Sequence, residues 1–165
     1  MSVDLAPLAA ADISAEWCAW LADAEVMRWR AAEPFAATPA DLAAYLDAAA
    51  ARGDRVFAVR LDGRHVGNIA LNAIDPRHAS AELSIMIGAR DAWGRGVGRA
   101  AVAALAPLAF ASGLNRLWAE SPNPAFNAVM RRLGWRHEGV RAQAFRKRGM
   151  FFDTHCWARL AEDPC

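Results

Sequence analysis

"DAWGRGVGRAAV", Asp91 to Val102, sets glycines at alternate positions, Gly94, Gly96 and Gly98, among arginines and runs without a break into an alanine-rich apolar segment. Glycine lets a ligand approach the backbone closely. The first turn of a helix offers unpaired N–H groups and the positive end of the helix dipole. A glycine loop that opens a helix is therefore an anion site, above all for phosphate. Arg95 and Arg99 flank it, and a phosphate would serve them as partner in place of a carboxylate. A Walker-type loop is excluded, because Gly98 is followed by Arg99 and Ala100 instead of lysine and a hydroxyl residue. "GVGRAA", Gly96 to Ala101, fits the G-x-G-x-x-A form of an NAD-binding fingerprint, with Glu120 near the place of a ribose-binding acid. That alternative stays open here, although "GARDAW" separates these glycines from the preceding strand. A flexible loop that only starts a helix is the other alternative.

Working outward, the hydrophobic period changes several times. "ADISAEWCAWLADAEVMRWR" carries a helical stripe at Ile13, Trp17, Trp20 and Leu21, with Asp12 or Ser14 as cap. "TPADLAAYLDAAAARG" predicts a helix with Thr38 as cap, Pro39 at its first position, Asp41 at its third and Gly53 as its stop. "RVFAVRLDGRHVGNIAL" predicts two strands around Asp62-Gly63, a two-residue hairpin turn. "IDPRHASAELSIMIG" turns at Asp75-Pro76 into a third strand, Ala79 to Ile87, which completes an antiparallel meander. The glycine-led helix should run to about Ser112, with Gly113 as stop and a bend at Pro107. Then come a strand in "LNRLWAE", a helix in "PAFNAVMRRLG" and two strands turning near Arg148-Gly149. The fold class is α/β or α+β, a mixed and mostly antiparallel sheet flanked by helices.

The chain of 165 residues is long enough for one cored domain, expected to span residues 1–165. Its formal net charge of +1 offers no global attraction to nucleic acid or an anionic membrane, so any electropositive site must be local. Cys18, Cys156 and Cys165 fit neither a disulfide framework nor a zinc pattern. The N-terminal "MSVDLAPLAA" does not read as a signal peptide, and no apolar run is long enough to span a bilayer. These features predict a cytoplasmic protein without a metal, a nucleic-acid partner or a membrane partner, as a monomer or homodimer.

Several segments, in order, resemble the GNAT-fold N-acetyltransferases, and within them the ribosomal-protein N-terminal acetyltransferase-like (RimJ/RimL-like) branch. They are "DAEVMRWR", "LDGRHVGNIALNAIDPRHASAELSIMIG", "WGRGVGRAAV", "NPAFNAVMRRLGWRHEGVR" and "RGMFFDTHCWARL". Trp93, where other branches often carry glutamine or arginine, is typical of this branch. The resemblance implies a GNAT fold and acetyl-CoA as cosubstrate, with a small-molecule or peptide amine as acceptor. It places the pyrophosphate on the amides of Arg95, Gly96, Val97, Gly98 and Arg99. It places the pantetheine along Ile85, Met86 and Ile87, and on Asn123, which also reads as a helix cap. Phe126 and Met130 stand where the family often has serine and tyrosine, so neither usual proton donor to the leaving thiolate is present. A domain that binds acetyl-CoA without catalysis is the alternative this motivates.

Acetyl transfer to an amine needs a proton acceptor and a donor to the developing oxyanion. Glu82 is the candidate base, with a structural ion pair as its competing role. Asp153 is a second acid. A backbone amide at Met86 or Ile87 is the candidate oxyanion donor, Met86 first. For the acceptor side, Trp29, Glu33 and His78 are the candidate substrate contacts, with Phe35, Glu25 and Asp41 nearby; Trp17 and Trp20 are expected in the core. Tyr45, the only tyrosine, lies on an early helix.

Overall fold

The computed structural model describes residues 2–163; Cys165 lies outside them. Local chemistry accounts for most of its elements. Helix α1, Ala15–Ala22, starts where the Ser14 side chain accepts a hydrogen bond from the Trp17 amide. Asp12, the other candidate cap, instead accepts from the Ala9 amide and pairs with Arg60. Helix α2, Pro39–Arg52, has the expected capping box: Thr38 accepts from the Asp41 amide, and the Asp41 carboxylate accepts from the Thr38 amide at 2.8 Å. Its C-cap, Gly53, is left-handed. Strands β2, Arg55–Leu61, and β3, Arg64–Asp75, turn through Asp62 and Gly63 at φ 49° and 84°. Strand β4, Ser80–Ile87, begins one residue later than its sequence suggests, because Ala79 is left-handed at φ 47°.

Helix α3, Val97–Ala111, passes through Pro107, which lies on its exposed side. Strand β5, Arg116–Ser121, is followed by helix α4, Pro124–Arg132, and by the long hairpin of β6, Arg136–Lys147, and β7, Met150–Leu160. An additional strand, β1, Val3–Pro7, pairs antiparallel with β2 along the edge of the sheet. Its five residues, VDLAP, carry no alternation strong enough to announce it. No helix among the described residues is long and apolar enough to cross a membrane.

The seven strands form one sheet in the order β1-β2-β3-β4-β5-β7-β6. Every neighbouring pair is antiparallel except β4–β5, which are parallel and joined by the α3 crossover. That parallel pairing is short. Ser80, Ala81 and Glu82 face Arg116, Leu117 and Trp118, and there it ends. Beyond Glu82, β4 stays paired with β3, while β5 stays paired with β7 along its whole length. The sheet therefore splits between β4 and β5, with Glu82 at the apex.

Val66 to Leu71 of β3 are buried without interruption, so both faces of the sheet are covered here. Helix α3 packs against β1, β3 and β4, and α2 packs against β2 and α1. Leu71, Leu83, Leu105 and Leu117 are fully buried, each contributing about 1.5–3 kcal/mol by removal from water. Trp17 and Trp20 are in the core as expected, with the His65 ring edge-on to both. Trp20 lies flat against Gly88, where an added Cβ would stand 2.0 Å from the indole. Gly88→Ala is expected to lower stability by about 1–3 kcal/mol, the range for overpacking a core, read by denaturant unfolding. An unchanged midpoint would show that Trp20 moves aside freely.

Candidate active site

The split opens into a cleft of about 1550 Å³. It runs from the N-terminus of α3, between β4 and β5, to the segment between α1 and α2 and to the β6–β7 hairpin. Which peptide groups of β4 face it follows from the ladder with β3. The Gly88 amide donates to the Val66 carbonyl at 2.9 Å. In an antiparallel ladder such bonding recurs at every second residue, so Met86, Ser84 and Glu82 turn their backbone groups toward β3. Ile85 and Ile87 turn theirs into the split. The Trp93 indole supports this, donating to the Ile87 carbonyl at 2.8 Å. The Met86 amide, the sequence's first choice as oxyanion donor, thus lies on the β3 edge, and Met86 contributes its side chain to the cleft instead.

At one end of the cleft is the glycine loop. Gly94 and Gly96 have φ of 71° and 80°, a conformation that L side chains adopt at a cost. Gly96 caps α3 with no side chain to offer, and the first helical bond is that of the Ala100 amide to the Gly96 carbonyl. The amides of Val97, Gly98 and Arg99 are thus left without acceptors inside the helix. Gly98 differs from the other two glycines. Its φ is not in the left-handed range, and a Cβ there would meet only Ile87 Cγ1, at 3.9 Å. Nothing in the protein itself requires glycine at this position, which fits a site for a ligand pressed against the backbone. Arg64 takes up Asp91 at 2.5 Å, and among the described residues Arg95 and Arg99 form no ion pair. The strand ahead of the loop belongs to an antiparallel meander, and a short 3-10 turn at Arg90–Ala92 stands between strand and glycines. That geometry does not make the strand–turn–helix unit of a dinucleotide-binding fold.

Asn123 borders the cleft at the start of α4. Its Oδ1 accepts from the Ala125 amide at 3.0 Å, so it is a helix cap, and its amide nitrogen remains for another partner. Phe126 also borders the cleft, whereas Met130 is wholly buried and does not. Helix α4 therefore presents no proton donor at either position.

Glu82 and Glu120 both border the cleft, near enough for the charge of Glu120 to act on Glu82. Glu120 is committed: it accepts from the Thr154 hydroxyl at 2.7 Å and from Arg141 at 2.5 Å. Glu82 has no ion pair among the described residues. Partial burial pushes its carboxyl above the usual carboxylate range, the nearby charges of Glu120 and Asp54 push it the same way, and Arg30 opposes them. Asp153 is exposed, lies off the cleft and accepts from the Gln143 amide at 2.8 Å in the β6 bulge.

The acceptor-side candidates separate. Trp29 borders the cleft and packs edge-on against Phe152, with ring centroids 5.3 Å apart. Phe35, Glu25 and Asp41 border it too. Glu33 does not; it is drawn away to Lys147, at 3.3 Å. His78 sits exposed in the β3–β4 turn, away from the cleft. Residues that sequence reasoning passed over as site groups are Tyr45, Asn68, Ser84 and Thr154, which all border the cleft. Alternation along β4 was the available signal for Ser84; the others are brought in only by the fold.

The family described as Acetyltransferase (GNAT) domain matches residues 3–136. Among curated protein sequences none matches the chain. Among solved structures, a spermidine N-acetyltransferase from Vibrio cholerae, in complex with CoA and spermine, is 21% identical with a TM-score of 0.85 over 96% of this chain and 95% of that one. RimJ from Mycobacterium smegmatis, in complex with CoA-disulfide, is 24% identical with a TM-score of 0.84 over 97% and 82% of the two chains. A ribosomal-protein-alanine N-acetyltransferase from Brucella melitensis is 26% identical with a TM-score of 0.78 over 94% and 98%. With the split sheet and the glycine cradle in place and the family match covering most of its length, the chain belongs to the GNAT acetyltransferase domain family.

Proposed function

We propose that the protein transfers an acetyl group from acetyl-CoA directly to a primary amine while both are bound in the cleft. The observation that carries this is the unpaired edge of β4, which leads from the cradle at α3 to the carboxyl group of Glu82. The CoA-bound state of two of the structural neighbours supports the identity of the cosubstrate.

The amides of Val97, Gly98 and Arg99, with Arg95 and Arg99, hold the pyrophosphate. Ile85 and Ile87 offer strand-like hydrogen bonds to the pantetheine, and Asn123 adds its amide nitrogen. The Ile85 amide, nearer to Glu82 than that of Ile87, donates to the thioester carbonyl as it gains negative charge. Glu82 accepts one proton of the ammonium, a neutral nitrogen then forms the new C–N bond as the C–S bond breaks, and that nitrogen gives up its second proton to water. With Phe126 and Met130 on α4, water protonates the departing thiolate. Positioning of two reactants supplies much of the rate, since a thioester is already activated. Release of coenzyme A from acetyl-CoA, measured across a panel of amines and short peptides, tests the reading. Tight acetyl-CoA binding without turnover on any amine would favour a non-catalytic binding domain.

Glu82→Gln is expected to reduce turnover by roughly a hundredfold, within the usual range for a lost general base, with acetyl-CoA affinity nearly unchanged. The deficit should shrink as pH rises and more of the amine is already neutral. Its effect on stability has the opposite sign. A carboxyl whose pKa is raised by folding is less favourably ionised in the native state, so it subtracts stability above its unfolded pKa. The glutamine variant should therefore melt no lower than wild type at neutral pH. Normal turnover with a lowered melting temperature would make Glu82 structural.

The glycines give a paired prediction. Gly98→Ala should fold with unchanged or slightly higher stability, because the Cβ has room, yet lose acetyl-CoA affinity in calorimetry. Gly96→Ala should destabilise by about 1–2 kcal/mol, the cost of a left-handed L residue. Unchanged acetyl-CoA affinity in Gly98→Ala would remove the cradle.

A further inference from the structure

Most of the charges that border the amine half of the cleft are already engaged. Asp41 accepts from the amide and hydroxyl of Thr38 at 2.8 and 2.7 Å. Glu120 is held by Thr154 and Arg141. Glu25 pairs loosely with Arg28 at 3.8 Å, and Arg28 also lies over the Trp29 ring. Two charges are left over, Glu82 and Arg30. Among the described residues the Arg30 guanidinium has no ion pair and no hydrogen bond.

Arg30 is nonetheless held in place through its backbone. Lys147, the only lysine of the chain, is buried at the end of β6. Its ammonium donates to the carbonyls of Arg30 and Ala32 at 2.9 and 2.6 Å. The contact between Trp29 and Phe152 closes the same segment against the same hairpin. The charge of Arg30 reaches both Glu82 and Tyr45, opposing the upward push on each. A cation without an ion pair, on a segment anchored through its backbone, and a carboxylate without one border the same cleft, and together they suit a ligand with both signs of charge.

Resting on acetyl transfer as the reaction, we infer that the acceptor is an amino acid-type amine: its amino group goes to Glu82 and a carboxylate on the same molecule goes to Arg30. A polyamine would bring a second ammonium toward Arg30, with no free carboxylate to receive it. Trp29, Phe35 and Phe145 border the same cleft and suit an apolar side chain.

The test uses matched pairs of amines that differ only in the carboxylate: L-phenylalanine with phenethylamine, and L-methionine with 3-methylthiopropylamine, with spermidine as the polycation. Coenzyme A release should give the amino acids a kcat/KM higher by about tenfold or more, as expected for one charge-assisted bond to a carboxylate. Arg30→Gln should abolish that preference, raising the KM of each amino acid much more than that of its decarboxylated partner, with the KM for acetyl-CoA nearly unchanged. Arg30→Lys should restore part of it. Equal rates within each pair, faster turnover of spermidine, or equal losses for both members of a pair in Arg30→Gln would overturn this inference and leave acetyl transfer standing. No release with any amine would overturn both.

Discussion

The peptide groups of Ile85 and Ile87 constrain the rest of the structure. A buried or half-buried backbone N–H or C=O needs a hydrogen-bonding partner, and β5 leaves β4 after Glu82, before it could supply one to these residues. One of the groups is met from within, by the indole of Trp93 on the Ile87 carbonyl. The others open onto the cleft, where an extended ligand chain with amide groups matches them as a further strand would. The helix α3 crossover that makes β4 and β5 parallel also brings its own uncapped N-terminus to the mouth of the same gap. One topological choice thus creates both the open edge of β4 and the helix N-terminus beside it, the two features that the proposed coenzyme site uses.

Electrostatics divides the cleft into two halves. At the cradle, Asp91 is drawn off by Arg64, so Arg95 and Arg99 stay available to an anion. At the apex, Thr154 and Arg141 satisfy Glu120 and leave Glu82 as the unpaired acid. Burial and the neighbouring carboxylates raise the Glu82 carboxyl, the direction that the proposed role of proton acceptor requires. The same desolvation costs native stability.

What the sequence discloses depends on how local the determinant is. The α2 capping box, the Asp62-Gly63 turn and the glycine-led helix are each written within a few residues, and each is legible. The alternation of β4 correctly puts Glu82, Ser84 and Met86 on one face. It cannot tell which backbone edge bonds β3, because that depends on the register with Val66; the sequence puts Met86 first, whereas Ile85 and Ile87 face the gap. Strand β1 exists through its pairing with β2, whose partners lie fifty or more residues away in the chain. The tie from Lys147 to Arg30 and Ala32 spans more than a hundred residues. It also explains why Glu33 turns away from the cleft, which its neighbourhood in sequence does not reveal.

Backbone amide exchange at Ile85, Met86 and Ile87, followed residue by residue by NMR with and without acetyl-CoA, addresses the split in the sheet directly. Met86, bonded to β3, should exchange slowly in both states. Ile85 and Ile87 should exchange quickly in the free protein and slow markedly once the coenzyme is bound. Ile85 and Ile87 as protected as Met86 in the free protein, or unprotected when acetyl-CoA is bound, would contradict the placement of the coenzyme along the open edge of β4.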